Sequence, residues 1–311
     1  MELEKIKRNL SGILPLIGLL VVFALFSAVG GDQFYGARNL TLIINQCFTI
    51  MVVAIGVTMV HAHGGIDFSV GAVLALSEML AAMAYKRTGS PFVLLFVAVL
   101  VAVLCSFITG IITVKLRIPP FISSLCMQFT CRGIVNTVLQ SKSIGVTELH
   151  APGWGVRLPV LLLLAAAVYV ILDYTKIGKH NKAIGENIKA ARSSGVDVDF
   201  YRIIAYLISG FTVGIAAYFD LLRNGVMSTN VGYGLEMKVI IAVVLGGLSL
   251  SGGYTATIKS AVVGSLLITI MTNGLMIVGV PVTYIGIIQG IIFLLVILFT
   301  YKRDRQGLLP R

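Results

Sequence analysis

The chain has 311 residues, 57% apolar and only 12% charged, with 33 glycines, a net charge of +11 and a mean hydropathy of +0.97. A soluble domain carries about 25% charge and 45–50% apolar residues, so an ordinary cytosolic enzyme, a disordered protein and a disulfide-stapled secreted domain are excluded. Long uninterrupted apolar runs also exclude an outer-membrane barrel, whose strands alternate apolar and polar over about 10 residues. What remains is an all-α polytopic membrane protein, read as a single transmembrane domain over residues 1–311.

In chain order, residues 1–8 carry Lys5, Lys7 and Arg8 ahead of an apolar run. The run is about 20 residues, longer than a signal-peptide core, and it reads as an uncleaved first span over 10–30. Nine further spans are predicted at 41–62, 66–85, 91–114, 121–139, 158–175, 203–222, 238–250, 256–279 and 282–300. That makes about ten transmembrane helices. The fifth span holds Gln128, Arg132 and Asn136, and the eighth has only about a dozen residues before Gly246-Gly247. Broken or re-entrant segments are therefore expected near 64–71 and 246–253.

Ten crossings put most of the 24 Lys and Arg on one side: the N-terminal three, Lys115, Arg117, the six between 176 and 202, Lys259, and the C-terminal Lys302, Arg303, Arg305 and Arg311. The positive-inside rule then places both termini in the cytoplasm. It also accounts for the net charge without nucleic acid. Cys47, Cys105, Cys126 and Cys131 lie inside apolar runs with no C-x-x-C pair and read as small buried residues. His61 and His63, two apart, point to different helix faces, and no metal site is expected.

Asp67 and Glu78 are acids within the third span, 11 residues apart and on one helix face. A charge there needs a partner or a water-filled cavity. Asp67 also suits a helix start, since Gly64-Gly65 precedes Ile66-Asp67-Phe68-Ser69. Arg132 needs an acid, and an intramembrane pair with Glu78 or Asp67 is expected. Asn45, Gln46, Gln128, Asn136, Asn273 and Gln289 are amides in apolar runs. Such groups join helices, and together they describe a polar interior suited to a hydrophilic solute. Asn45, Asp67, Ser69 and Asn273 are the candidates to line a translocation path. Within 176–202, residues 186–193 read as a short helix with Gly195 placed to stop it, either a solvated loop or a surface that docks into another protein. There is no Walker A loop, Ser–His–Asp set or H-E-x-x-H, so the chain does not read as an enzyme.

Five segments together resemble one family: Gly64-Gly65-Ile66-Asp67-Phe68-Ser69-Val70-Gly71; Pro119-Pro120-Phe121-Ile122; Gly185-Glu186-Asn187 with Ala190-Ala191-Arg192-Ser193-Ser194-Gly195; Leu245-Gly246-Gly247-Leu248-Ser249-Leu250-Ser251-Gly252-Gly253; and Asn273-Gly274-Leu275. The chain is similar to permease subunits of ribose-type monosaccharide ABC importers, in the superfamily shared with branched-chain amino-acid permeases. It departs from the pattern at Ser123-Ser124-Leu125-Cys126, at Tyr254-Thr255 and at Glu78. The resemblance implies a permease domain in a bacterial inner membrane that imports a sugar by alternating access. It implies a second permease protomer, an ATP-binding subunit that holds the only ATP, and an external sugar-binding protein. It further implies that Gly185, Glu186, Ala190, Ala191 and Gly195 belong to a coupling helix that docks on the ATPase. The alternative from the residues alone is a stand-alone transporter driven by an ion gradient through Asp67 or Glu78.

Overall fold

The computed structural model describes residues 2–149, 151–249 and 251–300. Leu250 of the second Gly-Gly segment and the C-terminal basic residues lie outside the described part, as do the side chains of Lys5, Lys7 and Arg8. The described residues form twelve α-helices: α1 (Glu2–Tyr35), α2 (Ala37–Ala62), α3 (Val70–Thr88), α4 (Pro91–Lys115), α5 (Pro120–Leu139), α6 (Trp154–Tyr174), α7 (Lys176–Glu186), α8 (Ile188–Ser193), α9 (Val198–Asn224), α10 (Leu235–Leu245), α11 (Ile258–Ile277) and α12 (Val282–Thr300). Two short strands, β1 (Ile144–Gly145) and β2 (Val226–Met227), pair antiparallel, Ile144 opposite Met227.

Each of the ten predicted spans falls on a helix. Six of these helices, α1, α2, α4, α6, α9 and α11, are long and apolar enough to cross a membrane. α3 carries Glu78, Lys86 and Arg87, and α5 carries Gln128, Arg132 and Asn136, which lower their apolarity. α10 has 11 residues, about 16 Å of helix, half of a hydrocarbon core of about 30 Å.

α2 is the axis of the fold, buried almost continuously from Cys47 to Ala62. It packs on α9 and α11; α9 in turn packs on α4, α3 on α4 and α5, and α1 and α10 on α11. Small residues let α4 and α9 approach closely: Gly210 faces Ser106, and Gly214 sits against the backbone at Val99. The opposite faces of α1, α4 and α6 expose Leu20, Phe92 and Leu163 at 69–73%. That much exposed apolar surface is stable in lipid and not in water.

The bundle has two distinct ends. At one, the β1–β2 pair covers the C-terminal ends of α3 and α9. α3 closes there on Gly89, whose left-handed φ of 67° lets its N–H reach the Tyr85 carbonyl. At the other end α7 and α8 form a base touching α2, α6 and α9. The short helix expected over 186–193 begins later. Asn187 is extended, with φ −158°, and its side chain accepts the Ala190 N–H at 3.0 Å. That cap ends α7 and starts α8. Beyond α8, Gly195 takes φ 81° and Val196 N–H reaches back to the Ala191 carbonyl, closing the helix as expected.

Candidate functional site

The four residues expected to line one path occupy three places. Asp67 and Ser69 lie between α2 and α3, at the α7 end, and both are fully buried. One Asp67 carboxylate oxygen, Oδ1, accepts the Ser69 N–H at 2.8 Å and the Ser69 hydroxyl at 2.6 Å. This local turn sets the entry to α3. The Ser124 hydroxyl of α5, 3.4 Å from the Ile66 carbonyl, ties the same turn to the bundle. Oδ2 of Asp67 has no hydrogen-bond partner among the described residues.

Asn45 of α2 accepts a hydrogen bond at 2.8 Å from Arg157 of α6. Asn273 of α11 and Asn39 of α2 exchange two amide hydrogen bonds of 2.9 Å each. Both amides thus join helices. None of the four lines the central cavity described below.

The expected pair of Glu78 with Arg132 is not formed. Arg132 donates to the Val231 carbonyl at 2.6 Å and its guanidinium lies 4.8 Å over the Tyr233 ring. Glu236, in the first turn of α10, is near enough for its charge to act on Arg132, but no ion pair or hydrogen bond joins the two among the described residues. Glu236 accepts from Gln128 of α5 at 3.3 Å, and its other oxygen abuts Gly71 of α3. The physical reason is the broken eighth span. Residues 228–234 run into the bundle from the β1–β2 end as turns, with Gly232 and Gly234 at φ 67° and 70°. They carry Glu236 to the second residue of α3 and the middle of α5. Glu236 was missed because the predicted span began at Lys238. The glycines flanking Tyr233 were the available signal that the backbone there is unwound.

Glu78 is also fully buried, and neither of its carboxyl oxygens has a hydrogen-bond partner among the described residues. Its charged neighbours are Asp220 and Arg223 of α9. Asp220 accepts from Thr49 of α2 at 2.8 Å, from Arg223 at 2.7 Å and from Asn224 at 2.8 Å. This network borders a cavity of about 250 Å³ between α2, α3, α9, α10 and α11. Gln46, Lys238 and Thr269 supply further polar groups to its wall. Its size and polar lining leave room for a small hydrogen-bonding molecule or water, and no set of three or more metal-binding side chains is found among the described residues.

α5 has an exposed face unlike those of α1, α4 and α6. Alongside Phe129 and Ile134 it exposes Cys126, Thr130, Gly133, Asn136 and Thr137. Tyr233, 74% exposed, stands beside it over Arg132. Polar groups turned outward at membrane depth need water or protein.

At the α7 end, Lys182 pairs with Asp173 at 2.5 Å and holds α7 against the end of α6. Ala191 is buried against Ile184 and Val198, whereas Ala190 and Gly195 are exposed. Gly185 and Glu186 face the segment around Gly253.

Residues 39–297 match the family described as branched-chain amino acid transport system / permease component. The chain is 32% identical over 301 residues to the ribose import permease protein of Escherichia coli K12, covering 93% of each chain. It is 30% identical over 303 residues to the autoinducer 2 import system permease protein of Photorhabdus luminescens, covering 95% of this chain and 91% of that protein. To the protein of the same description in Yersinia pseudotuberculosis it is 31% identical over 310 residues, covering 96% and 86%.

Proposed function

The chain belongs to the branched-chain amino acid transport system / permease component family, and from that premise we propose that it imports a monosaccharide or a similarly small polar solute as one of two permease subunits of an ATP-driven importer. The observation that carries this reading is identity of 30–32% over more than nine-tenths of the chain to permeases named for ribose and autoinducer 2 import. It favours the ABC importer over the ion-coupled alternative.

The α7 end is taken as cytoplasmic, because Lys115, Arg117, Lys176, Lys179, Lys182, Lys189, Arg192 and Lys259 flank helices there. Both termini then lie on the cytoplasmic side of a bacterial inner membrane. The polar face of α5, with Tyr233 and Arg132, is taken to line the path and to meet the same face of the second permease. The 250 Å³ cavity feeds it from within the protomer. Asp67 and Ser69 shape the cytoplasmic mouth, and Asn45 and Asn273 hold its walls. Contacts with the solute are individually weak hydrogen bonds, so that it is released, and tight binding belongs to an external binding protein. The exposed small residues Ala190 and Gly195 on the α8 surface, with Gly185 and Glu186 behind them, form the unit that docks on the ATP-hydrolysing subunit. Its binding and hydrolysis of ATP shift the population between outward-open and inward-open states.

The test is purification of the tagged chain from its native host in mild detergent, with mass spectrometry of what accompanies it. An ATPase with Walker motifs and a solute-binding protein are expected, and thermal-shift screening of that binding protein against pentoses, hexoses and nucleosides then names the solute. A chain that purifies alone and drives uptake in liposomes under an ion gradient overturns the importer reading.

A further inference from the structure

Four stretches of backbone meet at one point of the α7 end. They are the C-terminus of α2 at residues 61–62, the first Gly-Gly segment at 64–65, the second at 251–254, and the C-terminus of α7 at Gly185 and Glu186. The packing is backbone on backbone. A methyl group at Gly185 would overlap the Ala62 carbonyl and stand 3.1 Å from the Gly253 Cα. One at Gly252, whose φ is 76°, would overlap the His61 carbonyl and stand 2.6 Å from the Gly64 nitrogen. Here glycine is required by close approach, and the 64–65 and 251–253 segments are in mutual contact.

One charged side chain crosses this joint. Glu186, the last residue of α7, accepts the Tyr254 N–H through Oε1 at 2.9 Å, and its carboxyl lies against Gly253. Tyr254 belongs to the 3-10 turn Gly253–Thr255, which leads directly into α11. Gly252, one residue earlier, leans on the end of α2. A displacement of α7 therefore has a short, stiff route into two helices that wall the central cavity. α8 has a different position. Asn187 separates it from α7, it packs on α7 and α9, and its outer residues are exposed.

We propose that Glu186 is a positioning residue that couples the α7–α8 base to the 251–255 turn, so that movement imposed on α8 from outside is delivered to α2 and α11. Ala190 and Gly195 present the surface that is pushed, and Glu186, also exposed, holds the turn that must move through its bond to the Tyr254 N–H. The proposal rests on the reading that α8 docks on an ATP-hydrolysing subunit. A hydrogen bond to an ionised carboxylate is among the stronger ones, and its loss loosens the joint without emptying a core.

The test is hydrogen exchange read by mass spectrometry, on the chain co-purified with its ATP-hydrolysing subunit, with and without ATP plus vanadate. The Tyr254 amide is itself a reporter of the bond. In the unaltered complex, nucleotide is expected to change exchange in both 188–195 and 251–255. In Glu186→Ala the response in 188–195 should persist while that in 251–255 falls about tenfold, the size expected for one charge-assisted hydrogen bond. Glu186→Gln, which keeps an oxygen acceptor in place, should restore most of it. A full response of 251–255 in Glu186→Ala, failure of Glu186→Gln to restore it, or loss of the 188–195 response in Glu186→Ala overturns the proposal. If nucleotide leaves 188–195 of the unaltered complex unchanged, it is the docking reading that fails.

Discussion

A buried carboxylate needs donors, and Asp67 takes two from a single residue, the N–H and hydroxyl of Ser69. Asp67→Asn keeps an acceptor for both, and purified protein carrying it should melt within about 2 °C of the parent. Asp67→Ala removes the turn and should cost about 1 kcal/mol, seen as a drop of a few degrees in detergent with assembly intact. Arg132 gives a second test at this scale. Because Glu236 is the acid whose charge acts on it, Glu236→Gln and Arg132→Met should each destabilise by about 1–3 kcal/mol, and the double variant should cost clearly less than the sum. Glu78→Gln combined with Arg132→Met should instead be additive within about 0.5 kcal/mol. Coupling with Glu78 and additivity with Glu236 in calorimetric or fluorescence melts would reverse the assignment. That Arg132 required a partner was legible from its place in an apolar run. Which acid answered was not, because the chain from 228 to 234 had to be folded into the bundle first.

At the scale of the element, most boundaries followed from local chemistry. Pro91 and Pro120 stand at helix starts, and Gly89 and Gly225 with positive φ stand at helix ends. α7 and α8 are the exception. A single short helix was expected, but the Asn187 side chain satisfied the Ala190 N–H better than a continued helix would have. Asn187→Ala should cost about 1 kcal/mol of local stability. Tryptic cleavage at Lys189 and Arg192 of the detergent-solubilised protein should speed up about fivefold, while global melting stays put. An unchanged cleavage rate would mean the cap does not hold α8.

The whole molecule is a bundle with apolar outer faces on α1, α4 and α6 and a mixed one on α5. If the α5 face lines a water-filled path, its native Cys126, which is exposed, should react with a charged, membrane-impermeant maleimide in inverted membrane vesicles. Cys47, Cys105 and Cys131 are buried and should stay unlabelled until denaturant is added. Labelling of Cys126 only after lipid is removed by detergent would place α5 against lipid and move the path elsewhere. The reagent rate, followed by gel shift, should differ by at least about tenfold between Cys126 and the buried three.

Composition and apolar run length were enough to establish an all-α membrane protein and the helix for every span, because burying a backbone in lipid leaves few options. The five motif segments were enough to point to the permease family. What only the tertiary structure decided was which polar groups share a site. Asn45 and Asn273 looked like path residues because both are amides among apolar neighbours, yet each is paired across a helix contact. The two Gly-Gly segments and Gly185, far apart in the chain, acquire a common role only where three backbones touch. A side chain's chemistry is local to the sequence, but its partner is chosen by helix packing over long separations, and a single sequence carries no record of that choice.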